Sequence, residues 1–325
     1  MIVVTGAAGF IGSNLTHRLA ADGAELLLVD HRLTAAKAAN FVGLRSFQFV
    51  EHDRFLEILR ERTTPYDAIF HLGACSSTTE TDADYLERNN VGYSQALWNW
   101  CSAQGTPLVY ASSAATYGDG SRGFDDRTPP AELTPLNLYG KSKNDFDRWL
   151  LREIADGRPQ PPGWAGLKFF NVYGPRERHK AAMASVVWQA YRQIAAGDAD
   201  FTGMVKLFRS TDPAYSDGGQ RRDFVFVEDC VDHMLWLWRN PSASGIYNSG
   251  TGTARTFLDL AKAVFAALGR EPRIEFVDMP AGLAKQYQNY TQAEMTKLRG
   301  AGFTQPATTL EEGVARYVEF LRAGG

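Results

Sequence analysis

The chain opens on Met1-Ile2-Val3-Val4-Thr5 and passes at once into Gly6-Ala7-Ala8-Gly9-Phe10-Ile11-Gly12, an apolar strand that turns through glycine into a helix. A helix entered this way keeps its first N–H groups unpaired, with about half a unit of positive charge at that end. Such an end stabilises a pyrophosphate where glycine lets the backbone come close. Gly6 suits the tight turn, Gly9 leaves room for phosphates, and Gly12 lets the helix lie on its strand. The glycine spacing alone also fits an ordinary strand-to-helix turn. What decides for a dinucleotide is the context: an amphipathic stretch over 10–19, then a second apolar strand, Leu26-Leu27-Leu28-Val29, ending in Asp30. An acid at that place accepts hydrogen bonds from an adenine ribose.

From there the first half alternates. Strands are predicted at 2–5, 26–30, 47–50, 68–71 and 108–112, with helices between most of them and the longest near 82–104. Alternation of this kind means a parallel sheet covered on both faces. A helix beginning near Lys141 is followed by a Pro/Gly-rich interval at 157–163 and another apolar strand at 167–170. Beyond Asn171 the pattern loosens into helices at 183–196, 256–268 and 309–321, with a short strand at 224–227 and long polar segments. The expected fold is α/β, a doubly wound parallel sheet over residues 1–170 that binds a dinucleotide, with a smaller α/β portion over 171–325 that binds substrate. C-terminal segments are free to return to the first part. Residues 210–220, rich in Ser, Asp, Gly and Pro, read as an exposed, mobile loop.

With 325 residues, 44% of them hydrophobic, the chain can bury a large core. Its formal net charge of −3 supplies no broad footprint for nucleic acid or an anionic membrane. There is no basic segment leading into an apolar stretch with a cleavage site, and no apolar run long enough to span a bilayer. A cytoplasmic protein is expected. The three cysteines, Cys75, Cys101 and Cys230, are odd in number and widely spaced, which gives neither a disulfide framework nor a metal-ligand pattern.

Tyr139-Gly140-Lys141-Ser142-Lys143 carries the first chemistry. At the start of a helix, Tyr139 and Lys143 share one face. For a tyrosine of ordinary pKa ~10 to act as a base near neutrality, a shift of about three units, or ~4 kcal/mol, is needed. One cation at ~4.5 Å in an effective dielectric of ~20 contributes roughly 3.7 kcal/mol before desolvation is counted. The spacing alone also fits an exposed helix start with an incidental tyrosine and lysine. Ser113 follows the strand at 108–112, where ligands of parallel sheets gather, and can donate to a substrate hydroxyl, or simply cap the strand end.

Thr5 to Gly12, Ser113, and Tyr139 with Lys143 resemble the extended short-chain dehydrogenase/reductase family, whose members act on nucleotide sugars. Four further segments narrow the resemblance. They are Gly73-Ala74-Cys75-Ser76-Ser77-Thr78-Thr79-Glu80, Tyr110-Ala111-Ser112-Ser113-Ala114-Ala115-Thr116-Tyr117-Gly118, Phe170-Asn171-Val172-Tyr173-Gly174-Pro175-Arg176-Glu177 with His179-Lys180, and Tyr287 with Thr291-Gln292-Ala293. These resemble the branch that epimerises ADP-D-glycero-D-manno-heptose at C6, and they span nearly the whole chain.

The resemblance implies a Rossmann-like fold and an isomerase that oxidises C6 transiently, forms a ketone and returns the hydride to the opposite face. The L-glycero product supplies heptose for lipopolysaccharide core. Tyr139 and Lys180 would be the acid/base groups for the two epimers, Lys143 would tune Tyr139 and hold the nicotinamide ribose, and Ser113 would orient the substrate. Implied cofactor contacts are Gly6, Gly9, Phe10, Ile11, Gly12, Asp30, His31, Arg32, Lys37, Leu72, Gly73, Ala74, Cys75, Ser76, Asn89, Tyr139 and Lys143. Implied substrate contacts are Ser113, Asn171, Lys180, Arg222 and Tyr287, with Phe208, Arg209 and Ser210 near the nucleotide. By residues alone, Lys180 is equally a solvated charge or a diphosphate contact, and Arg221-Arg222 a surface pair before a strand.

Asp30 by itself favours NAD, since an acid repels a 2′-phosphate. The branch nonetheless carries NADP with such an acid present, and His31, Arg32 and Lys37 offer compensating charge, so NADP is expected and NAD is the alternative. His52 departs from a basic residue of the family. A nucleotide-sugar substrate and a homo-oligomer are implied, with no nucleic acid and no membrane. A 4,6-dehydratase would carry an Asp-Glu pair where this chain has Ala114 and Ala115. The remaining rivals are a UDP-hexose 4-epimerase and a dinucleotide-sensing protein without chemistry, the latter opposed by the presence of both Tyr139 and Lys143.

Overall fold

A computed structural model of the chain describes residues 1–31, 33–195, 201–280 and 288–324. Its first half runs β1 (Ile2–Thr5), α1 (Phe10–Ala21), β2 (Leu26–Asp30), α2 (Ala35–Ala38), β3 (Gln48–Glu51), α3 (His52–Glu61), β4 (Ala68–His71), α4 (Ala83–Leu86), α5 (Tyr93–Gln104), β5 (Leu108–Ser113), α6 (Leu138–Ala155) and β6 (Trp164–Phe169). The second half continues with β7 (Asn171–Tyr173), α7 (Val186–Ile194), β8 (Val205–Phe208), β9 (Arg221–Phe226), α8 (Val227–Arg239), β10 (Gly245–Ser249), β11 (Ala254–Thr256), α9 (Phe257–Ala267) and β12 (Ile274–Val277). Two more helices, Thr296–Gly300 and Leu310–Arg322, follow.

Among the described residues the largest sheet has seven strands in the order β10-β6-β5-β4-β1-β2-β3. Every pairing in it is parallel. The order reverses between β1 and β4, and at such a switch point the carboxyl ends of the strands leave a crevice for a ligand. Strands β1, β2, β4 and β6 are buried along their whole length, so their runs are largely apolar rather than alternating, with polar residues at the carboxyl ends of β1, β2 and β4 and buried Lys168 inside β6. One core cluster packs α1 and α8 on one face of the sheet, through Leu15, Leu19, Val231 and Met234. Another covers the opposite face with Phe55, Leu97, Trp98 and Phe146.

A third cluster joins α7, α9 and the helix Leu310–Arg322 over β8 and β9, through Val187, Leu207, Phe226, Leu260, Val264 and Val314. Two small sheets serve it, β11-β9-β7 and β12-β8. Thr256 and Thr309 start their helices with capping boxes closed by Asp259 and Glu312. The strand expected at 167–170 begins three residues earlier, at Trp164, and the one expected at 224–227 begins at Arg221. Val227 already belongs to α8.

The helix expected over 82–104 is interrupted by a π-helical turn, Glu87–Gly92, between α4 and α5. The turn is set by packing around Asn90, on which sequence periodicity carries no signal. No helix among the described residues is long and apolar enough to cross a membrane.

Candidate active site

The glycine turn forms as a cradle. Gly6 has φ +66°, a conformation that L side chains rarely adopt, and a Cβ on Gly12 would lie 2.1 Å from the carbonyl oxygen of Gly6. Gly9 caps α1 with extended backbone and no side-chain hydrogen bond, and the first turn of the helix holds no acid. Phe10, Ile11 and Gly12 therefore present backbone N–H groups to an anion. Leu72 and Gly73 close the far wall, since a Cβ on Gly6 would lie 2.7 Å from their backbone. Gly73 donates its N–H to the Thr5 hydroxyl at 3.1 Å.

Asp30, at the end of β2, is buried. Its carboxylate accepts from the N–H of Ala8 at 2.9 Å, the N–H of His31 at 2.8 Å and the ammonium of Lys37 at 2.7 Å. The acid expected to meet a ribose and the lysine expected to meet a 2′-phosphate thus form one ion pair at the rim of the cradle. His31 is exposed, its ring 4.5 Å from that of His52, which stacks on Tyr93 at 3.9 Å. Burial holds His52 below the ordinary histidine range, so at neutral pH it offers a ring face rather than a charge. Arg32 lies outside the described residues.

Past Leu72 and Gly73, the half-buried segment through Ala74 and Cys75 leads to exposed Ser76. Asn90 fixes it: the Oδ1 of Asn90 accepts from the N–H of Cys75 at 2.9 Å, and its Nδ2 donates to the Cys75 carbonyl at 3.0 Å. The same Nδ2 donates to the Ser142 hydroxyl on α6 at 2.9 Å. The π-helical turn holds Asn90 in the interior while its neighbour Asn89 is half-buried. Sequence reasoning chose Asn89 and missed this tether, because the register inside a π-turn is set by packing.

Asn137 caps α6 by accepting from the N–H of Gly140 at 2.8 Å, which places Tyr139 in the first turn. Tyr139 is half-buried and its phenol is hydrogen-bonded to the side chain of Ser113 at the carboxyl end of β5. Burial raises the phenol above its ordinary value, the Ser113 bond lowers it, and the nearby Cys75 thiol raises it. Lys143, 6% exposed, donates its ammonium to the Ala111 carbonyl at 2.9 Å. Burial pushes Lys143 down to about 8, against the attraction of Asp147 and Cys75. In the balance acting on the phenol, the downward contribution is therefore the Ser113 bond, where the sequence argument had assigned it to Lys143. Asp147, one turn beyond Lys143, is buried with Lys168 at 2.9 Å, and sequence reasoning named neither. The repeat of four residues from Tyr139 through Lys143 was the available signal.

Lys180 reaches the cradle from a segment remote in sequence. Asn14 on α1 donates to the Pro175 carbonyl at 2.9 Å, and Asn40 donates to the Arg176 carbonyl at 3.2 Å. These bonds bring the Lys180 ammonium to 5.6 Å from the ring centre of Phe10, the first residue of α1. Arg176 and Ala181, with φ of 69° and 49°, bracket the lysine in strained backbone, roughly 1–3 kcal/mol each. Glu177, 0% exposed, holds the segment by accepting from the N–H and hydroxyl of Ser185, both at 2.6 Å. Burial lowers Lys180 below the ordinary lysine range and Glu177 raises it.

Asn171 begins β7 and accepts from the Thr291 hydroxyl at 3.4 Å. Arg222, buried on β9, holds its guanidinium 5.5 Å from the ring centre of Phe257 and donates to the Arg221 carbonyl at 2.9 Å, which excludes a freely solvated surface pair. Phe208 ends β8 and leads to Arg209 and Ser210. Arg209 is paired with Asp217 at 3.1 Å and Asp278 at 3.4 Å, and the N–H of Ser210 donates to the Asp217 carboxylate at 3.0 Å. The segment 210–220 is thus laced by its own hydrogen bonds, and Gln220 at its end is buried. Tyr287 lies outside the described residues.

The model of the NAD dependent epimerase/dehydratase family matches residues 2–250. The chain is 50% identical over 322 residues to the ADP-L-glycero-D-manno-heptose-6-epimerase of Nitratidesulfovibrio vulgaris strain Hildenborough, covering 98% of this chain and 97% of that one. It is 43% identical over 331 residues to the protein of the same name from Fusobacterium nucleatum, with 98% and 97% covered. The solved ADP-L-glycero-D-manno-heptose-6-epimerase of Helicobacter pylori superposes with a TM-score of 0.81 at 27% identity, over 99% of this chain and 96% of that one. A UDP-glucose 4-epimerase from Thermotoga maritima gives a TM-score of 0.78 at 25% identity, with 99% of each chain covered.

Proposed function

The chain belongs to the NAD dependent epimerase/dehydratase family, and from that premise we propose that it inverts C6 of ADP-D-glycero-D-manno-heptose to give the L-glycero epimer. The observation that carries this reading is the arrival of Lys180 at the start of α1. In this reading Lys180 would be the second group able to move a proton, besides Tyr139, which inversion needs and one-way oxidation does not. Residues 1–170 would serve mainly the dinucleotide and 171–325 mainly the sugar nucleotide.

A bound nicotinamide supplies a reversible acceptor for the C6 hydrogen. Gly6, Gly9 and Gly12 with the N-terminus of α1 would hold its pyrophosphate, and Lys143 its ribose. Ser113 orients the C6 hydroxyl toward Tyr139, which takes its proton as the ketone forms. Rotation about the exocyclic bond would then present the other face of the ketone, and with the hydride restored to C6 on that face Lys180 would give a proton to the resulting alkoxide. For the opposite direction the two groups exchange tasks. Arg222 suits the diphosphate because its fork bonds two oxygens. Of the two cofactors, NADP is favoured, because the Lys37 ammonium already offsets the charge of Asp30 at the rim.

The test follows the hydrogen. With C6-deuterated substrate in ordinary water, internal return keeps the label in both epimers, and unlabelled substrate in deuterated water gains none at C6. Wash-out of the label would replace this reading with deprotonation at carbon. Turnover of UDP-glucose in place of the ADP-heptose would move the assignment to a 4-epimerase.

A further inference from the structure

Tyr139, Lys143 and Asp147 follow at four-residue steps along α6 and share one face of it. Asp147 is 0% exposed, and none of the steps above uses it. Its Oδ1 accepts from the Tyr110 phenol at 2.9 Å, and its Oδ2 accepts from the Ser112 hydroxyl at 2.7 Å and the Lys168 ammonium at 2.9 Å. Lys168, 1% exposed on β6, donates also to the Thr116 hydroxyl at 2.8 Å. Thr116 in turn donates to the carbonyl of Ser113 at 2.8 Å. One carboxylate therefore ties α6 to the end of β5, to β6 and to the turn that follows Ser113.

Apolar side chains of similar volume would join these elements as firmly, since burying ions is costly even when they are paired. A charge needs a further reason, and Lys143 provides one. Lys168 donates to this carboxylate directly, while Lys143, one turn back on the same face of α6, donates to the Ala111 carbonyl, and the attraction of Asp147 opposes the burial that lowers it. The other titratable groups around them do not substitute for it. Tyr110 is held protonated by burial and the charge of Asp147, Tyr117 by burial and the charge of Asp126 ahead of that of Asp147, and His71 is held neutral by burial and by Lys143. Cys75 and Tyr139 complete the surroundings from the side of the cradle.

We propose that Asp147, with Lys168 as its counter-ion, is a positioning residue of this centre: it fixes the Ser113 end of β5 against the Tyr139 face of α6 and sets a negative charge one turn from Lys143. The proposal rests on the roles given above to Tyr139 and Lys143. Loss of the Lys143 proton at high pH then sets the alkaline limb of kcat, and the two partners of the pair displace that limb in opposite directions. Asp147→Asn keeps the shape and removes the charge, so the limb moves down by about one pH unit or more. Lys168→Met leaves the carboxylate undivided for Lys143, so the limb moves up. Where Asp147→Asn alone does not fold, the double replacement with Lys168→Met removes both charges together and still moves the limb down.

A clamp without an electrostatic role changes kcat or melting temperature and leaves the limb in place; that result in the folded variants overturns the proposal. Tyr139→Phe, assayed beside them, separates the two levels of the argument. An active Tyr139→Phe enzyme defeats the functional reading itself, while an inactive one with unmoved limbs in the Asp147 and Lys168 variants defeats this proposal alone.

Discussion

Burial holds the phenol of Tyr139 above its usual range and pushes the Lys143 ammonium down to about 8, so each acts against the preference of its own surroundings. A cationic cofactor ring placed beside the phenol shifts it toward ionisation, which couples proton transfer to occupancy of the cradle. Lys180 sits under the same desolvation, relieved by Glu177. Replacing Lys180 by Met is expected to lower kcat by about 100-fold or more while the purified protein keeps its dinucleotide, because general acid/base groups contribute on this scale. A near-normal rate would remove Lys180 from the mechanism. At the other end of the cofactor, Lys37→Ala leaves Asp30 without its ammonium. The expected outcome is at least a roughly tenfold loss of NADP affinity with NAD affinity little changed, since a cation facing a phosphate is worth about 1.4 kcal/mol or more. Mass spectrometry of the cofactor released from the parent protein showing only NAD would contradict the NADP assignment.

At the scale of elements, the glycine turn and the start of α1 tolerate no side chain at Gly6 or Gly12. Gly12→Ala drives a Cβ into the Gly6 carbonyl and is expected to cost about 1–3 kcal/mol and most of the bound dinucleotide. Gly300, at the end of the helix Thr296–Gly300, has open space around it and an ordinary φ. Gly300→Ala is expected to be neutral or to stabilise by up to ~1 kcal/mol, through lower chain entropy when unfolded. Chemical denaturation of the two variants distinguishes these outcomes, and equal midpoints would refute the cradle argument. Helix starts were legible because caps are local: Thr256 and Thr309 declare theirs by side chain alone. The π-turn at Glu87–Gly92 was not legible, because only the need to bury Asn90 between Cys75 and Ser142 selects it.

Across the whole molecule the chain leaves the large sheet after β6 and then returns to it, through α8 on one face and β10 at the edge. The third core depends on the last helix, whose Leu310, Val314, Tyr317, Val318 and Leu321 are all buried in it. Ending the chain at residue 308 is therefore expected to expose β9 and α9, bind a hydrophobic dye and abolish turnover. Parent-like melting and activity in that truncation would show the third core to be dispensable. The parallel sheet, its glycine turn and the placing of Tyr139 and Lys143 one turn apart on α6 were legible in the sequence, because each rests on periodicity or on spacing within a few residues. Tertiary structure alone decided that Lys180 reaches Phe10, that Asp147 meets Lys168, and that Asp217 and Asp278 hold Arg209. Those contacts join side chains from different elements, and sequence spacing carries no information about a distance that only packing closes.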